Sequence, residues 1–181
     1  LNFTGRKPFN GENGQMERKD KVTMKGGKLI LLGHELKNGD IAPNFKAVDS
    51  GFKRVQLSDF KEKKVLISAV PSLDTGVCAL QTKRFNEEAA KNKNVVFITI
   101  SADLPFAQKR FCDAEKIQGM NILCDSVWHD FGTKYGVLVK DMGLLSRSVF
   151  IISPDGKIQY IEIVGEITNH PDYDAALNAL K

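Results

Sequence analysis

Three stretches of the chain are nearly continuous in apolar and β-branched residues: Lys64 to Val70 (Lys-Val-Leu-Ile-Ser-Ala-Val), Val95 to Ser101 (Val-Val-Phe-Ile-Thr-Ile-Ser) and Ser148 to Ser153. Short runs of this kind, without polar alternation, predict strands buried on both faces. After the first run, Pro71 ends the strand. Cys78, Phe85 and Ala89 then recur on one face of a helix expected from about Thr75 to Asn92. Pro105 is placed to start a second helix, carrying Phe106, Arg110, Phe111 and Cys112. Its fixed φ and missing N–H suit the first helical position. Asn121 to Cys124 predicts a short strand, and Phe131 to Tyr135 a helical turn ended by Gly136. Pro154-Asp155-Gly156 predicts a hairpin turn, with Lys157 to Val164 pairing back on the third buried strand. Asp172 to Leu180 reads as a last amphipathic helix.

The front of the chain is less strongly patterned. Phe45, Ala47 and Val48 predict a short strand, with Lys53 to Leu57 its partner across Ser50-Gly51. Val22 to Lys25 and Lys28 to Gly33 predict a hairpin about Gly26-Gly27, where glycine supplies the positive φ of a tight turn. Residues 1–21 are polar and aperiodic and read as a flexible tail, leaving one domain over residues 22–181. The element order predicts an α/β domain: a central mixed β-sheet flanked by helices, with an added N-terminal β-hairpin.

Composition narrows the function. A chain of 181 residues, 42% hydrophobic and 27% charged, is an ordinary globular domain with its own core. The net charge of +4 lies at the front. Residues 1–28 hold Arg6, Lys7, Arg18, Lys19, Lys21, Lys25 and Lys28 against Glu12, Glu17 and Asp20. The remainder is neutral, so no nucleic-acid partner is expected. No apolar run is long enough to span a bilayer, and residues 1–27 lack the apolar core of a signal peptide. No membrane partner and a cytoplasmic location are expected. A start at Leu1 leaves an upstream segment, and with it a periplasmic or organellar location, open.

The cysteines change the picture most. There are three, Cys78, Cys112 and Cys124, too few for a disulfide scaffold. No two lie within four residues, so neither a CxxC redox pair nor a zinc ribbon is present. One or two working thiols in a reducing compartment fit this usage. His34, His129 and His170 share no spacing, and no glycine-rich phosphate loop occurs, so no metal or cofactor is expected.

Pro71-Ser72-Leu73-Asp74-Thr75-Gly76-Val77-Cys78 links a buried strand to a helix. Ligands of open α/β sheets bind at such strand ends. Cys78 falls in the first helical turn, where unpaired amides and the helix dipole favour an anion. A cysteine of ordinary pKa, near 8.5, is only about 3% thiolate at pH 7. A pKa of about 6 gives roughly 90%, a gain partly offset by lower nucleophilicity. A reactive site must therefore also orient its substrate and stabilise the departing oxygen, for which Thr75 and an arginine are suited. The competing reading of Cys78 is a buried small hydrophobe facing the core.

The same stretch contains P-x-x-x-[TS]-x-x-C and resembles the peroxiredoxin family, in particular its thiol peroxidase branch. Ser101-Ala102-Asp103-Leu104-Pro105-Phe106-Ala107-Gln108-Lys109-Arg110-Phe111-Cys112 resembles that branch too. So do Gly165-Glu166-Ile167-Thr168 and Pro171-Asp172-Tyr173. The similarity spans about residues 22 to 181. It implies a thioredoxin-like fold and reduction of hydrogen peroxide and organic hydroperoxides. Cys78 would be the peroxidatic cysteine, Cys112 the resolving cysteine of an intramolecular disulfide, and thioredoxin the reductant of a homodimeric enzyme. It further implies catalytic roles for Thr75 and Arg147 and a shielding role for Pro71.

Cys112 lies about two turns into its helix, whereas a disulfide needs Cα atoms within about 7 Å. Cysteines on two different helices meet only if a segment moves, so local unwinding around Cys78 or Cys112 is expected. Cys124 reads as structural, with an alternative resolving thiol as the sharper reading. Trp128, Phe131 and Tyr135 read as core or interface. Two other functions compete: a thioredoxin-like dithiol–disulfide oxidoreductase, weakened by the missing CxxC, and a peroxide-sensing or binding module on the same scaffold.

Overall fold

The computed structural model of the protein describes residues 16–181. Its strands are β1 (Glu17–Met24), β2 (Gly27–Leu32), β3 (Lys46–Val48), β4 (Arg54–Gln56), β5 (Lys64–Ala69), β6 (Val95–Ser101), β7 (Asn121–Cys124), β8 (Leu138–Val139), β9 (Ser148–Ile152) and β10 (Ile158–Ile163). Its helices are α1 (Gly76–Lys91), α2 (Pro105–Glu115), α3 (Asp130–Lys134) and α4 (Tyr173–Asn178). Seven strands form one mixed sheet in the order β10-β9-β5-β6-β7-β3-β4. The pairs β5–β6 and β6–β7 are parallel, and β5–β9, β9–β10, β3–β7 and β3–β4 are antiparallel. This is the α/β, thioredoxin-like order expected from the sequence.

The long apolar runs have a direct cause. Side chains of a strand alternate between the two faces of its sheet, and here both faces are covered. Leu66, Phe97, Val149 and Ile151 pack with Phe85 and Ala89 of α1 and Ala176 of α4. Val65, Ile67, Ile98 and Ile152 face the other way, onto Phe45, Phe131 and Tyr135. The rings of Phe131 and Tyr135 are stacked at 4.4 Å, and Phe45 and Phe150 meet them edge-on. Each fully buried apolar side chain contributes about 1.5–3 kcal/mol relative to exposure. Trp128 does not join this cluster: it is exposed, with the Lys46 ammonium 4.9 Å from its ring.

The hairpin departs from the sequence expectation in three ways. β1 begins at Glu17, so residues 17–21, assigned to a tail, are strand: Glu17 pairs with Leu32 and Arg18 with Leu31. Their inward position is held by Arg18, which is buried and donates to the Gly136 carbonyl, so no apolar alternation marks the strand. A register shift between Arg18 and Val22 further breaks the period. The rest of that tail, residues 1–15, lies outside the described residues. The turn also sits at Lys25-Gly26, both at positive φ, one residue earlier than expected. Finally, β8 pairs with β2 and completes a separate three-stranded sheet, β1-β2-β8. Two residues are too few for a periodic signal.

Two close approaches fix this second sheet against the body. Gly33 has φ +102, and a Cβ on it would stand 2.0 Å from the Thr133 carbonyl oxygen. Gly136 has φ +66, and a Cβ there would stand 2.2 Å from the His34 carbonyl oxygen. Only glycine fits such a backbone contact.

Candidate active site

Val70 still bonds in register beyond β5, its N–H donating to the Ile100 carbonyl at 3.0 Å. Pro71 then breaks the ladder, and the chain turns through Ser72–Asp74 into α1. Thr75 is the N-cap, with extended φ and ψ of −111° and 145°. Its hydroxyl donates backward to the Ser72 carbonyl at 3.0 Å rather than into the helix. Helix geometry leaves the amides of Gly76, Val77 and Cys78 without intrahelical acceptors. Cys78 is fully buried in this turn. It continues the inward stripe Gln81, Thr82, Phe85, Glu88 and Ala89.

Arg147 enters from the segment just before β9 and is 2% exposed. Its Nη2 approaches Cys78 Sγ at 3.4 Å. Two further bonds fix the guanidinium plane: Nη1 donates to Gln81 Oε1 at 2.7 Å, and Nε to the Ile167 carbonyl at 2.9 Å. Gln81 is itself held, its Nε2 donating to Ser68 Oγ at 2.7 Å. An unpaired thiolate at this depth would cost several kcal/mol. A hydrogen bond to a charged group contributes about 1.5–3 kcal/mol, and a helix N-terminus up to about 2 kcal/mol. Both the guanidinium and the start of α1 stand at this sulfur.

A cleft of about 160 Å³ opens beside Cys78, walled by Pro71, Thr75, Val77, Arg147, Met24 and Ile167. Met24 comes from the hairpin. It is kept there by Glu166, whose carboxylate accepts from Thr23 Oγ1, the Lys25 and Gly26 amides, and both the amide and hydroxyl of Thr168. These bonds, the Thr168 hydroxyl foremost, push the Glu166 pKa down to about 2. A larger cleft of about 540 Å³, between Ile41 and Pro154, has no cysteine in its walls.

A family model described as Redoxin matches residues 37–177. The chain belongs to the Redoxin family. The thiol peroxidase of Oceanobacillus iheyensis is 50% identical over 159 residues, covering 88% of this chain and 97% of that protein. That of Bacillus subtilis is 48% identical over 161 residues, covering 89% and 96%. Among solved structures, the peroxiredoxin-like protein from Aquifex aeolicus superposes with a TM-score of 0.83 at 42% identity, covering 88% of this chain and 94% of that one.

Within this Redoxin-family chain, Pro71, Thr75 and Arg147 line the one cleft, and Cys78 is buried behind that wall, 3.4 Å from Arg147 Nη2. Cys112 stands on α2, half-buried, and free like Cys78. Cys78 belongs to an apolar cluster with Val70, Leu73 and Phe111, and Cys112 packs against it. Burial, and then the charge of Asp113, push the Cys112 thiol up. Cys124 is buried at the end of β7, 3.0 Å from Ser126 Oγ. It pairs across the sheet with Ser101 and Val48. Among the described residues no helix is long and apolar enough to cross a membrane.

Gln81, Ser68 and the Ile167 carbonyl were missed by sequence reasoning. Gln81 did leave a signal, being a polar residue on the same helical stripe as Cys78 and Phe85. Ser68 is likewise the lone hydroxyl within the apolar run of β5.

Proposed function

We propose that this chain, by its kinship a thiol-dependent peroxidase, reduces hydroperoxides with the Cys78 thiolate and resolves the product with Cys112. The observation that carries the reading is the fully buried Cys78 sulfur, in the first turn of α1 and 3.4 Å from a guanidinium that is itself fixed on two other sides. The thiolate attacks the terminal peroxide oxygen and the O–O bond breaks. The departing oxygen takes a proton and leaves as water or an alcohol, and Cys78 becomes a sulfenic acid. Arg147 stabilises charge on both sulfur and departing oxygen. Thr75 orients the substrate, and Pro71 shields the pocket from water.

The Cys112 thiol then condenses with the sulfenic acid, releasing water and closing a disulfide. That step needs the first turn of α1, the α2 segment or both to open, since α1 and α2 hold the two thiols on separate helices. The raised Cys112 pKa fits this order. Its thiolate is disfavoured while it is half-buried, and opening removes that burial. A thioredoxin-type dithiol protein supplies two electrons to restore both thiols. The working unit is a homodimer, and the location is cytoplasmic, where such reductants keep thiols reduced.

The test is peroxide consumption with a thioredoxin system. Cys78→Ser abolishes turnover. Cys112→Ser gives one turnover and accumulates sulfenic acid at Cys78. Full activity in Cys78→Ser defeats the reading, and a Cys78–Cys124 bridge in peptide maps of the oxidised protein defeats the resolving role of Cys112.

A further inference from the structure

The two cysteine-bearing segments are tied together by a carboxylate that touches neither sulfur. Asp103 lies between the end of β6 and the start of α2. Its Oδ1 accepts from Ser72 Oγ at 2.7 Å. Its Oδ2 accepts from the Leu73 amide at 2.7 Å and from Ser101 Oγ at 2.8 Å. Ser72 Oγ in turn accepts from the Asp74 amide at 3.2 Å. Ser101 Oγ accepts from Gln108 Nε2 at 3.0 Å, and the same Nε2 donates to the Leu123 carbonyl at 2.8 Å. Gln108 is buried and stands one helical turn before Cys112. One network therefore runs from the loop that leads into Cys78, through Asp103, to the helix that carries Cys112.

The three bonds that Asp103 accepts are short, at 2.7 to 2.8 Å. They hold the Ser72–Asp74 loop in the shape that delivers Cys78 to Arg147. Two ion pairs also join the segments, Arg110–Asp74 at 3.7 Å and Lys83–Glu115 at 2.7 Å, each between side chains at least a third exposed. Surface pairs of that sort contribute little. Asp103 thus carries most of the polar attachment between the two segments.

We propose that Asp103 is a positioning residue that holds the Cys78 loop closed for the attack on peroxide and sets how readily that loop releases Cys78 to Cys112. The proposal rests on the two-cysteine cycle above. A protein with two arrangements responds to whatever binds one of them better, and Asp103 binds the closed one. Weakening it depopulates the closed site and populates the open one. Oxidation then slows while disulfide closure accelerates. A merely structural residue, on losing its bonds, slows both.

The experiment measures the two steps separately in Asp103→Ala and Asp103→Asn. Oxidation is followed by rapid mixing with hydrogen peroxide in the Cys112→Ser background. Closure is followed with Cys112 present, by acid quench and mass analysis of the Cys78–Cys112 bridge. Asp103→Ala is expected to slow oxidation at least fivefold and to speed closure at least threefold. Asp103→Asn keeps an acceptor for the Leu73 amide and is expected to move both rates the same way by less. Should Asp103→Ala not fold, the opposite shifts in Asp103→Asn carry the test. Closure that fails to accelerate overturns the proposal, whatever happens to oxidation. Absence of a Cys78–Cys112 bridge in the otherwise unmutated protein overturns the parent cycle instead, and is seen before Asp103 is touched.

Discussion

Replacing Arg147 by methionine removes the buried guanidinium while keeping an unbranched side chain that fills irregular space. The structure gives the magnitude. Arg147 Nη2 is the charged donor at 3.4 Å from Cys78 Sγ, and a hydrogen bond to a charged group contributes about 1.5–3 kcal/mol. At 1.36 kcal/mol per decade, its loss lowers the second-order rate of Cys78 oxidation by about 10- to 150-fold. Gln81→Met takes away the acceptor that fixes Nη1 and leaves the cation in place. That bond too has a charged donor, but it reaches the sulfur only by fixing the guanidinium, so the loss is expected to be smaller than that of Arg147→Met. Gln81 acts only through Arg147, so the double variant is expected to react no more slowly than Arg147→Met alone. The assay is rapid mixing with hydrogen peroxide in the Cys112→Ser background. Removing the cation leaves Gln81 Oε1 and the Ile167 carbonyl without their donors, at about 1–3 kcal/mol each. Thermal melts must therefore show every variant folded at the assay temperature. Independent, multiplicative losses in the double variant refute the chain from Gln81 through Arg147 to sulfur. An Arg147→Met rate within twofold of the parent refutes the role of the guanidinium itself.

Two further outcomes concern the hairpin that forms one wall of the cleft. Glu166 has its pKa depressed to about 2 from 4.5, so its bonds stabilise the fold fully above about pH 4.5 and are lost as pH falls toward 2. The melting temperature of Glu166→Gln should lie below that of the parent at neutral pH, with the gap closing over that window; a gap independent of pH sinks the assignment. Gly33→Ala drives a Cβ to 2.0 Å from the Thr133 carbonyl oxygen at φ +102. Backbone strain and overpacking together cost roughly 2–6 kcal/mol. Denaturant unfolding giving a loss under about 1 kcal/mol contradicts the close approach.

Local pattern carried much of the architecture because burial on a sheet or helix repeats with the period of the element. β6 spans Val95–Ser101 as its apolar run does, and α2 starts at Pro105. α1 runs from Gly76 to Lys91 against an expected Thr75 to Asn92. β1 escaped because its inward position is Arg18, and β8 because two residues have no period. The candidate site divides in the same way. Cys78 at a helix start after Pro71, and Cys112 beyond Pro105, follow from neighbours in the chain. The placement of Arg147 beside Cys78, 69 positions away, does not.

The sequence by itself determined where strands and helices fall, which thiol begins a helix, and to which family the motifs point. Each of these is written in spacings of a few residues. Only the tertiary structure decided which polar groups meet the sulfur and what holds them. Ser68 is brought in by β5, Gln81 by α1, Arg147 by the approach to β9 and Ile167 by the segment after β10. Their meeting depends on strand order and on the antiparallel β5–β9 pairing. Contacts between segments 13 to 69 residues apart are set by how whole elements pack, and no local period records them.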